Sequence, residues 1–580
     1  MARLDKKRRA LLLAAVIPPC LICLLILRYG VDLPFSDEWE LVPLLLKKSR
    51  GTLTLFDLFA QVNEYRQFFP NLVFVYLGWA TRWDVRYEML LGFLLACATS
   101  CNVYLLGKRT LGREGAGRAA AFLLSGLLIF SPVQYENWLM GQQLMFFIPV
   151  LCVTTCLLVS YSNLRAPTKF ALCALLSSVS SFSAANGLLC WVVAFPALAG
   201  PGAADEPKKV KRLTPLWAAG FAACAALYFY GFRRPAYLPP TSEPFVKPLR
   251  AVAYFLAFLG APLTGNNRYL TPVAAAVGLT LASLFVLAWR FYLSRSADAA
   301  LKRGMTCWLM LGAYSVMTAV LVTFGRLGYG VEQSLSSRYT TFSLYLVVSL
   351  IHLAAAARDA AHVNRARRAR LLAPRALAAA AAGLIILHAL ACAVSIREAC
   401  RLRARLMQAK ACLLFVNLTG AECLPPDLMA RPDMLPERLR ALDALGFLRP
   451  GLVKSRRVQD FAGDAGTGPG FGSFDQLSRS GGSFAASGRA TLPHRGVPAD
   501  AVLLAYKTEN GEAVLFSLAE MNYKGDILKG ILAPGTDYDS SWQKTFPQDR
   551  LPAEAVEVSA WAFDASTGRA YKLEGAHDPR

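Results

Sequence analysis

The chain has 580 residues, of which 55% are apolar and only 17% charged, with a formal net charge of +23. With a mean hydropathy of +0.37, this composition excludes an ordinary soluble domain and fits a polytopic membrane protein. Nor does the positive charge signal a nucleic-acid partner, because the basic residues sit in short clusters between apolar runs.

The N-terminus reads "MARLDKKRRALLLAAVIPPCLICLLILRYG", five basic residues followed by an uncharged run of about 18, near the length that crosses a hydrocarbon core. No small-residue cleavage site follows, so a retained anchor is expected, bent where Pro18 and Pro19 remove backbone donors. Further spans are expected at roughly 87–107, 119–131, 144–162, 169–185, 187–203, 214–232, 271–289, 304–324, 341–357 and 376–395, about eleven in all. Lys and Arg concentrate in alternate connections, among them "GKRTLGREGAGR", "EPKKVKRL" and "RDAAHVNRARRARLLAPR". That alternation predicts a multi-pass protein of a plasma membrane with a cytoplasmic N-terminus and an extracytoplasmic tail. Phe68–Trp83 and Ala251–Gly265 are also apolar. A crossing by Phe68–Trp83 would move the basic "GKRTLGREGAGR" outside, so both stretches are expected as interfacial or re-entrant helices.

From Ile396 the character changes. "REACRLRARLMQAKACLLF" and "LPERLRALDALGF" read as amphipathic helices outside the membrane, and "GDAGTGPGFGSF" as a glycine-rich linker. Beyond it, short runs alternate apolar and polar residues, and Asn510-Gly511 between "AVLLAYKTE" and "EAVLFSL" is a hairpin signal. The expected fold class is therefore mainly α: a transmembrane domain over 1–395 with a first external loop at 28–86, a helical segment and linker over 396–460, and an extracytoplasmic β-sandwich over 461–580.

Most of the 14 cysteines fall in apolar spans, where they act as small apolar residues. Cys412 and Cys423 lie in the external segment, where an oxidising compartment would let them pair; two unpaired thiols is the other reading. The five histidines, His352, His362, His388, His494 and His577, lack zinc-ligand spacing, so no metal site is expected from them. No phosphate-cradling loop or dinucleotide fingerprint is present, which weighs against a soluble nucleotide-sugar donor.

Directly after the first span comes "DLPFSDEWELVPLL" (Asp32 to Leu45). One reading is a helix start, with Ser36 as N-cap and acidic residues complementing the helix dipole. The other is a carboxylate held beside an apolar wall and tuned as a base.

A first span, a first external loop with an acidic pair, juxtamembrane helices, many further spans and an external C-terminal domain together resemble the C-type (GT-C) membrane glycosyltransferases. The likeness is one of architecture over most of the first 395 residues. "SDEW", "NEYRQFFPNLVF", "FSPVQYENWLMGQQ", "FSAANGLLCW" and "GRLGYGVEQSLSSRYTTFSLY" also resemble a group of uncharacterised bacterial membrane proteins in or near that superfamily. Where related loops often read "NEHR", this chain has Tyr65, which removes a histidine-based role there. The resemblance implies a lipid-phosphate-linked sugar donor and a catalytic acid in the first loop: Asp37 first, Glu38 second.

Sugar transfer from a polyprenyl phosphate to a hydroxyl needs a base near the acceptor proton and positive charge for the leaving phosphate. Arg338, Arg326 and Arg66 rank in that order as phosphate contacts, since a guanidinium presents paired donors to phosphate oxygens. Interfacial arginines that snorkel to lipid head groups or pair with Glu332 would look the same. Glu64, Glu136, Asn137, Trp138 and Gln142 are candidate substrate contacts, because carboxylates and amides hydrogen-bond hydroxyls and aromatic rings stack on sugar faces. A membrane-interface turn would use similar residues.

The expected function is transfer of a sugar from a polyprenyl-phosphate carrier to an extracytoplasmic glycan or lipid. Its partners would be that donor, the acceptor and membrane lipids. No cofactor follows, although clustered carboxylates are the type of ligand a divalent cation takes. A flippase for lipid-linked glycans, or a membrane-anchored glycan-binding protein without catalysis, are the alternatives. The flippase is disfavoured because the expected spans carry almost no ionisable residues and no internal repeat is evident.

Overall fold

The computed structural model describes residues 2–111, 116–199, 212–294, 297–363, 374–420, 422–425, 428–429, 432–464, 470–493, 495–522, 540–553 and 555–579. Among these, seven helices are long and apolar enough to cross a membrane: Lys6–Tyr29, Arg86–Thr110, Ala116–Leu139, Gly141–Ser160, Arg268–Leu293, Ala299–Tyr329 and Ser337–Asp359. At about 1.5 Å of rise per residue, even the 20 residues of Gly141–Ser160 cover a hydrocarbon core about 30 Å thick.

Four of the eleven expected spans fall elsewhere. Three correspond to the shorter helices Ala166–Ser181, Ala185–Ala199 and Thr214–Phe229. The first and third have 16 residues each and reach only about 24 Å. The fourth, at 376–395, lies within the 41-residue helix Pro374–Leu414. In the first span, one helix ends at Ala14 and another begins at Ile17, so the expected bend is a break. Pro18 and Pro19 sit in the first turn of the second helix, where missing N–H groups cost nothing.

The chain forms two compact units. The first comprises Met1–Arg28, Arg50–Leu77 and Arg86–Ile396, and the second Tyr29–Ser49, Gly78–Val85 and Arg397–Arg580. The expected first loop is thus divided between them.

Within the first unit, side-chain amides and hydroxyls stitch helices together. Asn102 Nδ2 donates to Thr155 Oγ1 (2.9 Å), Asn186 Nδ2 to Tyr314 OH (2.9 Å), and Ser315 Oγ to the Phe342 carbonyl (2.7 Å). His352 is packed in the same way, stacked on Trp308 at 3.8 Å with Nε2 3.1 Å from Ser125 Oγ. Pro248–Thr264 holds one of the two apolar stretches expected not to cross, and it packs closely against Thr271–Leu293.

The contact between those two helices depends on glycine. A Cβ on Gly260 would overlap the Ala274 carbonyl, and one on Gly278 the Leu256 carbonyl. Small residues at such crossings let backbones approach where the hydrophobic effect contributes little. Gly260→Val is expected to lower stability by about 2–3 kcal/mol or more, read as thermal unfolding of the purified protein in detergent. A change within about 0.5 kcal/mol would contradict this packing.

In the second unit the apolar face of Val42–Ser49 packs on that of Leu435–Ala444, burying Leu44 and Leu45 on one helix and Leu435, Leu439 and Leu442 on the other. Phe415, wholly buried, sits between Phe461 and Phe563 at 5.6 and 4.9 Å. Cys412 and Cys423 form a disulfide with Cα atoms 5.9 Å apart.

The C-terminal domain is a closed barrel and not the expected sandwich. After a two-residue ribbon in the first unit, β1 (Gln61–Val62) and β2 (Tyr65–Arg66), come β3 (Gly472–Ser480), β4 (Ser483–Ala490), β5 (Ala501–Lys507), β6 (Ala513–Met521), β7 (Ser541–Pro547), β8 (Glu557–Asp564) and β9 (Arg569–His577). The barrel order is β3-β4-β7-β6-β5-β8-β9. Ser473 of β3 pairs with Glu574 of β9 in parallel, and this pairing closes the ring. Closure leaves no open edge to pair with another chain. Phe474, Phe484, Val502, Leu504, Phe516, Trp542 and Phe546 belong to its core. Asn510-Gly511 turns the β5–β6 hairpin as expected, with Gly511 at φ +81°.

Asp500, just before β5, accepts from the Ala565 amide (2.8 Å). Burial, with the Asp564 charge adding to it, pushes its carboxyl up to about 7, against the lowering effect of that hydrogen bond. A carboxyl raised above its unfolded value makes the fold less stable as pH rises from about 4 to about 7, where the unfolded chain is ionised and the folded chain is not. Asp500→Asn carries no such penalty, so its stability gain over the parent should grow across that window to about 4 kcal/mol. Hydrogen exchange of β5 amides checks this, comparing the two proteins at each pH so that intrinsic exchange cancels. A gain that does not depend on pH would contradict it.

Candidate functional site

The acidic segment belongs to the second unit. Asp37–Leu41 form a short 3₁₀ turn that runs into the helix Val42–Ser49. Ser36 was expected to cap this start, yet its side chain makes no capping hydrogen bond. Its backbone instead adopts φ 55°, ψ −118°, and its N–H donates to the Leu428 carbonyl (2.8 Å). A serine held at positive φ costs on the order of 1–3 kcal/mol, and such strain concentrates at functional sites.

The four carboxylates of the segment have different surroundings. Glu38 is buried and accepts from the Phe35 amide (2.7 Å). Glu40 takes a two-pronged pair from Arg438, Nη1 to Oε1 at 2.9 Å and Nη2 to Oε2 at 3.0 Å, while Nη1 also donates to the Trp39 carbonyl. Asp32 lies 3.3 Å from Arg449 Nη2, which is also 3.7 Å from Asp84, and Lys410 Nζ donates to the Asp32 carbonyl (3.0 Å). Asp37 is partly buried, the more accessible member of the Asp37–Glu38 pair.

Sequence reasoning did not single out Lys410, Arg438 and Arg449 as partners of this loop, nor Arg403, whose Nη1 lies 3.4 Å from the Gly30 carbonyl. A signal was present: Arg403 and Lys410 stand two turns apart on one helix, hence on one face. Nothing in the local pattern says that this face meets the first loop.

The remaining candidates lie in the first unit. Arg66, on β2, directs Nε to the Tyr228 carbonyl (2.7 Å), Nη1 to the Phe59 carbonyl (3.1 Å) and Nη2 to the Tyr230 carbonyl, and its guanidinium lies 4.9 Å from the Phe59 ring centroid. These bonds tie the ribbon to Phe59 and to the C-terminal end of Thr214–Phe229, so Arg66 acts as an anchor and presents no open fork to a phosphate. Arg326 pairs with Glu64, and its Nε lies 3.3 Å from Tyr339 OH.

Glu136 sits at the N-terminus of the helix Ser337–Val363. It accepts from the Ser337 hydroxyl and the Arg338 amide (3.2 Å), and lies 3.7 Å from Arg338 Nη2. A carboxylate there complements the positive helix end. Asn137 Nδ2 donates to the Arg338 carbonyl (2.9 Å) and Thr341 Oγ1 (2.6 Å). Trp138 is wholly buried, stacked on Phe147 at 4.9 Å, with Nε1 donating to the Ser131 carbonyl (2.9 Å). The expectation that Trp138 stacks on a sugar does not fit that burial. Gln142 is buried as well.

Arg338 keeps about a third of its side chain exposed, more than Arg326, and it remains the cation of this group most open to a ligand. Among the described residues no cluster of three or more His, Cys, Asp or Glu has the arrangement of a metal site. Compared with family models, curated proteins and solved structures, the chain matches none.

Proposed function

We propose that this protein is a GT-C-like membrane glycosyltransferase that moves a sugar from a polyprenyl-phosphate carrier to an extracytoplasmic glycan or lipid. The reading is carried by the first-loop carboxylate: Asp37 is accessible, and it follows directly on a serine in a strained backbone conformation that a hydrogen bond to Leu428 holds in place. Backbone strain of this kind clusters at functional sites, and here it directly precedes the acid.

In this account Asp37 removes the acceptor hydroxyl proton as the sugar carbon leaves the phosphate oxygen. The departing polyprenyl phosphate needs positive charge to offset what develops on it, and within the first unit Arg338, with Arg326 second, is the candidate for that contact. Glu38 supports the turn, and Glu136 orients Arg338. The N-terminus is cytoplasmic, and the acidic loop and barrel are extracytoplasmic, in keeping with the basic clusters in alternate connections.

The test is reconstitution of the full chain in vesicles with a total polyprenyl-phosphate-sugar extract from the producing cells. Release of free polyprenyl phosphate, followed by mass spectrometry, should depend on the protein and on an added glycan or lipid acceptor. Lipid-linked glycan moving intact between leaflets, with no release, would favour the flippase reading and overturn this one.

A further inference from the structure

A crevice of about 390 Å³ lies at one end of the membrane helices of the first unit, far in sequence from the acidic loop. Phe195 and Ala199 line it from one helix, Trp289 and Tyr292 from a second, and Thr306 and Met310 from a third. The second and third helices belong to the candidate spans. The volume is in the range of ligand sites, about 300–1,000 Å³, and such sites are mostly apolar with a few placed polar groups.

The polar groups lie toward its end. Tyr292 OH is 3.3 Å from Thr306 Oγ1, which donates to the Lys302 carbonyl (2.8 Å), and Lys302 Nζ sits 5.9 Å from the Tyr292 ring centroid. Arg290 and Arg303 are exposed on the same helix ends. Among the described residues the nearby acid is Asp298, which accepts from the Leu301 amide (2.8 Å) as an N-cap. Elsewhere on the helix that carries Trp289, Leu284, Val286 and Leu287 are between 44% and 57% exposed. In a bilayer such side chains face lipid tails.

We infer that this crevice binds an anionic phospholipid, one acyl chain lying along Phe195, Trp289 and Met310 and the phosphate held by Lys302, Arg303 and Arg290. Charge complementarity selects the head group: basic residues at helix ends attract anionic lipids, and basic pockets between membrane helices hold such head groups. The inference rests on the membrane reading alone and is independent of the proposed sugar chemistry.

Native mass spectrometry of the delipidated full chain, titrated with dioleoyl phosphatidylglycerol and separately with dioleoyl phosphatidylcholine, tests it. The phosphatidylglycerol adduct should form about fivefold more tightly for each basic residue engaged. Ala199→Trp, which fills the crevice, should abolish that adduct. Lys302→Gln with Arg303→Gln, both at helix-end positions, should weaken it about 25-fold, to within about fivefold of the phosphatidylcholine level, and serves if the tryptophan variant does not fold. Equal binding of the two lipids, or an adduct unchanged in the charge variant, would overturn the inference.

Discussion

Asp37→Asn is expected to lower the rate of polyprenyl phosphate release by about 10²–10⁴-fold, the usual contribution of a positioned general base. The asparagine keeps the shape of the side chain and cannot take the proton, so expression and unfolding temperature should stay close to the parent. Glu38→Gln serves as the internal control. Its carboxylate is buried against the Phe35 amide, and its loss should act mainly on stability, by about 1–3 kcal/mol. A parental rate in Asp37→Asn, or a larger rate loss in Glu38→Gln than in Asp37→Asn, would remove Asp37 from the role assigned to it.

The second large effect concerns the pair that holds the acidic turn. Glu40 and Arg438 have only 11% and 4% of their side chains exposed, so removing one leaves the other charged and buried. Breaking such a pair costs about 3–5 kcal/mol, and Arg438→Met should lower the stability of the second unit by that amount. Glu40→Leu combined with Arg438→Met should cost less than the sum of the single changes, because the orphaned charge is gone. Denaturant titration followed by hydrogen exchange in Leu435–Ala444 reads both. A single variant costing under about 1 kcal/mol would mean that the pair behaves as a surface ion pair.

Elements whose signal is local could be read from the sequence. Apolar runs near 20 residues mark the seven long helices, and Asn510-Gly511 marks its hairpin, because span length and turn conformation depend on neighbouring residues alone. Strands β3 and β4 were hidden in "GSFDQLSRS" and "SFAASGRA", where serine, glycine and alanine weaken the strand signal. Barrel closure through Ser473 and Glu574 joins residues about a hundred positions apart and leaves no trace in periodicity.

The candidate residues divide along the same line. Asp37 and Glu38 were legible as an acidic pair after a span, and Arg338 and Glu136 as polar residues in short loops. The pairing of Glu40 with Arg438, and of Asp32 with Arg449, links residues roughly 400 apart, and no local pattern encodes it. Arg66 was misleading for a physical reason: a guanidinium serves an anion or a set of carbonyls equally well, and only the fold shows that its donors meet Phe59, Tyr228 and Tyr230.

Whether this chain consumes a polyprenyl-linked sugar at the membrane can be read by mass spectrometry of surface glycans and polyprenyl-linked sugars in cells lacking the protein. One sugar is expected to disappear from the glycan while its lipid carrier accumulates, with both restored by the parent chain and not by Asp37→Asn. Unchanged glycans and carriers in the deleted cells, or full restoration by Asp37→Asn, would contradict it.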